Sequence, residues 1–157
     1  MKRYFSKFGS NLIALSLMGV MSLTVLAGPR PFHLVEHGQL QVTPRDASGN
    51  VLDLVAQGVG TATHLGGISV QRTATLTATD TPGIFNVNGQ ATLTAPTGEQ
   101  PKSTLTGTLN GPLGHADLIY QWTGGTGRFE KATGTTFWSV DVVDGEYDVV
   151  ANGQIIY

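Results

Sequence analysis

Tyr120-Gln-Trp-Thr-Gly-Gly-Thr-Gly-Arg-Phe-Glu-Lys-Ala-Thr-Gly-Thr-Thr-Phe-Trp138 joins two strand-like runs through a turn dense in glycine. Successive side chains of a strand point to opposite sides of the sheet, so Tyr120 shares a face with Trp122, and Trp138 falls opposite Phe137. Between the runs, Gly124, Gly125, Gly127 and Gly134 permit a tight strand exit and a close approach of backbone to backbone.

The same grammar extends outward. From Gly28 onward there is no helical stripe, only short alternating runs broken by Gly, Pro, Asn and Asp, which is all-β patterning. Strands are expected near 32–43, 51–63, 67–79, 84–95, 103–111, 117–123, 133–143 and 146–156. In the middle of the chain Ala74, Leu76 and Ala78 alternate with Thr73, Thr75, Thr77 and Thr79. Likewise Ala91, Leu93 and Ala95 alternate with Thr92 and Thr94. Threonine favours extended backbone because its branched Cβ fits the pleat. Val143-Asp144-Gly145-Glu146 reads as a two-residue hairpin, since Asp-Gly tolerates the positive φ angles that match strand twist. Eight strands joined by short turns form an antiparallel meander. Closing it into a barrel removes both exposed edges and leaves an interior filled by side chains or one small ligand.

Residues 1–27 read as a secretory signal peptide: Lys2, Arg3 and Lys7, then an apolar run from Leu12 to Leu26, then Ala27 before Gly28. The run is interrupted by Ser16, Gly19, Ser22 and Thr24, which disfavours a retained membrane span. Residues 28–157 then make one domain, secreted or periplasmic. The chain has no cysteine, so its core must suffice without disulfides. Removing the signal takes three of the nine Lys and Arg and none of the eleven acids; six bases against eleven acids give a charge of −5. That balance excludes a nucleic-acid partner and disfavours an anionic lipid surface.

Thr123-Gly-Gly-Thr-Gly-Arg-Phe-Glu-Lys-Ala-Thr-Gly134 resembles a phrase of the allene oxide cyclase and dirigent barrels, G-G-x-G-x-F-x-x-A-x-G, matched by Gly124, Gly125, Gly127, Phe129, Ala132 and Gly134. Gly60-Thr-Ala-Thr-His-Leu-Gly-Gly67 resembles the G-x-x-T-H-L-G phrase of bacterial secreted members of that superfamily. The resemblance implies an all-β, eight-stranded antiparallel calycin-like barrel, with Phe129 plugging one end, and families that bury outer sheet faces in homo-oligomers. It carries over no catalytic residue, since none of the plant cyclase residues or dirigent interior charges finds a matching position.

Candidate chemistry is sparse. His33-Leu-Val-Glu-His37 spells an inverted zinc-protease motif, but its setting is a strand, on which the two histidines stand ~13 Å apart at ~3.3 Å per residue, too far to share one zinc. Asp141, Asp144, Glu146 and Asp148 lack the ordered ligand spacing of a calcium loop. No metal or cofactor is therefore expected. His64, at a strand end, and Glu130 are the candidate acid-base residues; the plainer reading of His64 is a turn histidine bonded to backbone. Tyr120, Trp122, Trp138 and Tyr147 are the candidate ligand-binding aromatics, with ordinary core packing as their plainer reading. No nucleophile elbow, P-loop or dinucleotide fingerprint is present.

Three functions fit these residues. The first is a barrel that binds a small, largely apolar molecule. The second is a cyclase or isomerase that holds a flexible substrate in a reactive shape. The third is an outer-membrane barrel, against which stand the threonine-rich faces and only nine aromatic residues after Gly28 to form two girdles.

Overall fold

The computed structural model describes residues 28–157; residues 1–27, with the expected signal segment, lie outside the described residues. Eight strands follow one another: β1 (Arg30–Pro44), β2 (Val51–Ala62), β3 (Gly66–Ala78), β4 (Ile84–Thr94), β5 (Pro101–Asn110), β6 (His115–Gly125), β7 (Thr135–Val143) and β8 (Glu146–Ile155). Each pairs antiparallel with the next, and β1 pairs with β8 from Arg30↔Ile155 to Gln39↔Glu146, closing an eight-stranded barrel. The all-β antiparallel barrel expected from the alternation is the observed architecture.

The turn between β7 and β8 shows the expected hairpin chemistry, with Asp144 at φ 53° and Gly145 at φ 83°. Around the glycine phrase the strands end elsewhere than expected. Strand β6 runs on through Gly124 and Gly125, paired with Lys102 and Pro101, because a register shift between Lys102 and Ser103 inserts a bulge. One turn of 3-10 helix, Gly127–Phe129, follows. Strand β7 begins only at Thr135, and Thr133 bridges to Ile156 instead.

Closure turns the mainly apolar phase of each strand inward; on β3, β4 and β5 the threonine phase faces outward, while Val35, Val55, Val59 and Phe137 are apolar residues left exposed. The interior divides into two unequal halves. At one end Phe32, Leu34, Ile68, Val70, Leu93, Trp122 and Ile155 are buried together, and the Trp122 ring meets Phe32 edge-on at 5.1 Å. Phe129, fully buried, covers this end against Tyr157, with ring centroids 4.5 Å apart. Each such side chain contributes about 1.5–3 kcal/mol by leaving water. The other half, toward the 44–51, 78–84, 110–115 and 143–146 turns, is not filled.

Candidate functional site

Between the two halves lies a polar layer. Strand β1 points Phe32, Leu34, Glu36, Gly38 and Leu40 inward, and β3 points Ile68, Val70, Arg72, Ala74 and Leu76 inward. Each strand thus carries one charged residue in its apolar phase. Glu36 is 1% exposed and Arg72 7%, and burial of both is tolerable only because they pair.

The pairing is bidentate: Arg72 Nη1 donates to Glu36 Oε1 at 2.6 Å and Nη2 to Oε2 at 2.5 Å. Arg72 Nε donates to the Tyr120 hydroxyl at 2.6 Å, and Nη1 also to the Tyr147 hydroxyl at 2.9 Å. The Tyr147 hydroxyl donates in turn to Glu36 Oε1 at 2.6 Å. Trp138 stacks on Tyr120 at 4.0 Å with 12° between the rings and lies 5.0 Å from the guanidinium carbon, while its Nε1 donates to Thr136 Oγ1 at 2.7 Å. Two glycines make room: a Cβ at Gly58 would stand 2.4 Å from the Tyr147 hydroxyl and 2.5 Å from Glu36 Oε1, and one at Gly38 2.6 Å from that hydroxyl.

Burial opposes the charge on Arg72, but the Tyr120 oxygen and the Glu36 carboxylate outweigh it and hold the guanidinium protonated. Burial pushes both the Tyr120 and the Tyr147 phenols above their ordinary range, against the pull of Arg72. The layer is therefore a neutral ion pair with two protonated phenols.

Above it opens a cavity of about 340 Å3, within the ~300–1,000 Å3 range of small-molecule sites. Leu40, Leu54, Leu76, Val87, Leu105, Leu118, Val140 and Val149 wall it, Arg72 and Tyr147 bring polar groups to its floor, and Gly111, Gly114 and Asp144 lie at the rim.

Of the four candidate aromatics, Tyr147 lines this cavity, Tyr120 and Trp138 lie in the polar layer, and Trp122 is packed in the filled half. His64 and Glu130 are exposed at the filled end, away from the cavity. His64 has φ 69°, and its Nε2 donates to the Pro31 carbonyl at 2.8 Å. Gly124, Gly127 and Gly134 take φ of 110°, 59° and 121°, and a Cβ at Gly125 would meet the Gln100 carbonyl oxygen at 2.2 Å. His33 and His37 point outward from β1, and His33 Nδ1 faces Asn152 Oδ1 at 2.9 Å.

The residues that sequence reasoning missed are Glu36 and Arg72. Glu36 lies inside the His33-Leu-Val-Glu-His37 spelling, and Arg72 belongs to no motif. The signal that could have found them is a charge in the inward phase of an otherwise apolar strand.

No protein-family model matches this sequence, and no curated protein sequence matches it. Among solved structures the chain is similar to the pterocarpan synthase dirigent protein GePTS1, with a TM-score of 0.54 over 84% of this chain and 92% of that one, at 12% identity. The fold is a dirigent-like barrel. At this identity the likeness fixes the architecture of the dirigent-like barrel and leaves its chemistry to its own residues.

Proposed function

We propose that this protein is an exported dirigent-like barrel that binds a small, largely apolar molecule in the open half of its interior. The observation that carries the reading is the cavity itself: one half of the barrel is occupied by buried aromatic and aliphatic side chains, and the other opens into a space of about 340 Å3 walled mostly by aliphatic ones. Such a surface gains from any apolar guest that displaces water. The outward threonines and inward aliphatics support a water-facing barrel, since a transmembrane barrel has the reverse pattern. Export rests on the signal-like residues 1–27, and N-terminal sequencing of protein from its host should find Gly28 first. Placement among the bacterial secreted allene oxide cyclase-like barrels rests on the two glycine phrases.

Binding is tested with an uncharged apolar dye such as N-phenyl-naphthylamine and residues 28–157. Dye emission should rise on binding, and Ala74→Trp, which places a large ring in the cavity, should abolish the rise while the circular dichroism is kept. Unchanged emission with the wild-type protein, or an equal rise with the variant, would sink the reading.

A cyclase or isomerase is the second reading. One observation favours it: Arg72, held by Glu36 and Tyr147, brings an N–H donor to the cavity floor, where it can polarise a substrate oxygen among apolar walls. A catalyst would turn over a bound substrate and lose turnover more than binding in Tyr147→Phe; equal loss of both would leave the binder alone.

A further inference from the structure

We infer that the cavity selects an uncharged molecule carrying one oxygen acceptor, such as a ketone, aldehyde or ester, and rejects the carboxylate of the same length. This rests on the small-molecule reading and deepens it.

The first ground is a count of donors. A guanidinium has five N–H groups. Arg72 commits four: one from Nε to Tyr120, two from Nη1 to Glu36 and Tyr147, and one from Nη2 to Glu36. One N–H on Nη2 is left, on a side chain that lines the cavity. Tyr147 adds no second donor, because its hydrogen goes to Glu36. The floor can therefore satisfy one acceptor, and a ligand without an acceptor leaves that N–H unpaired in an apolar space.

The second ground is charge. Arg72 alone would invite an anion, but Glu36 faces it with both carboxylate oxygens and cancels it. The other ionisable groups lining the cavity are the Tyr147 phenol and Asp144 at the rim. A carboxylate entering would leave water, meet a guanidinium already neutralised, and lie below a second carboxylate. Size fixes the scale: about 340 Å3 holds on the order of ten non-hydrogen atoms at about 30 Å3 each.

The experiment displaces the dye from residues 28–157 with three molecules of about ten carbons: a methyl ketone, the plain hydrocarbon and the fatty acid. The ketone should bind about tenfold tighter than the hydrocarbon and about a hundredfold tighter than the fatty acid at neutral pH. The affinity of the fatty acid should climb as pH falls through its own pKa, because the neutral acid is what fits. Glu36→Gln uncovers the Arg72 charge and should shift preference toward the carboxylate by about tenfold or more. Should that variant not fold, Asp144→Asn, at an exposed turn position, should raise carboxylate affinity a few-fold, and the wild-type pH series tests the same charge rule. Carboxylate binding as tight as the ketone, or a hydrocarbon equal to the ketone, overturns the inference while leaving the binding reading intact. A dye that never binds removes both.

Discussion

Arg72 grips Glu36 across the barrel interior through two near-parallel hydrogen bonds, Nη1 to Oε1 at 2.6 Å and Nη2 to Oε2 at 2.5 Å, from strands separated by β2. The side chains β2 puts between them are small, Ala56, Gly58 and Gly60, so nothing on that strand blocks the reach. The pair divides a filled half from an open one, and its removal should be felt in both.

Either Glu36→Leu or Arg72→Met alone strands a buried charge and should cost about 3–5 kcal/mol in urea unfolding. The double variant Glu36→Leu with Arg72→Met removes both charges and should cost less than either single change. A double variant as unstable as the two losses added would mean the pair is not a coupled unit.

Alkaline pH should loosen the fold. Tyr120 and Tyr147 hold their protons more tightly when folded than the ordinary value of 10.0, chiefly through burial. Their contribution is complete below that value and is lost as pH rises through the higher folded pKa values, because only the unfolded chain releases the proton easily. Urea midpoints taken from pH 8 upward should fall beyond about pH 10, and Tyr147→Phe should show a shallower fall. A flat profile to strongly alkaline pH contradicts the burial of these phenols.

The two ends of the barrel should respond separately. Phe129→Ala opens a void in the filled end and should lower stability by about 3–5 kcal/mol while leaving dye affinity nearly unchanged. Ala74→Trp should do the opposite, sparing most of the stability and eliminating binding. Loss of dye binding in Phe129→Ala under conditions where it remains folded would show that the halves are not independent.

Gly125→Val and Gly127→Val should damage folding far more than His64→Ala. A branched side chain at Gly125 collides with the Gln100 carbonyl, and one at Gly127 is strained at φ 59°. His64 is exposed and already sits at φ 69°, so His64→Gly relieves about 1–2 kcal/mol of left-handed strain against the lost bond to the Pro31 carbonyl, and should melt at or above His64→Ala. Thermal melts of the four variants compare these directly; equal melting of the valine variants and wild type would remove the glycine phrase from the folding argument.

Much of the fold was legible because period-two alternation is a local property. Ile68, Val70, Ala74 and Leu76 announce one face of β3 without reference to any other strand, and Asp144-Gly145 announces its hairpin by φ preference alone. The site was less legible. Tyr120, Trp122 and Trp138 could be assigned to an inner face, yet only closure assigns them to different layers of it, with Trp122 in the filled half and Tyr120 and Trp138 beside Arg72. His64 drew notice by chemical type and lies at the filled end.

By itself the sequence determined an all-β chain of alternating strands, the two faces of each strand, the tight β7–β8 turn and an excess of acids over bases in residues 28–157. Tertiary structure alone decided that Glu36 and Arg72 meet, that Gly38 and Gly58 clear the space for the Tyr147 hydroxyl, and that one half of the barrel is left open. The reason is that strand alternation fixes direction, inward or outward, whereas the stagger of strands around a closed barrel fixes height along its axis. Residues 36 and 72 share a level only once the β1–β2 and β2–β3 ladders are both in register.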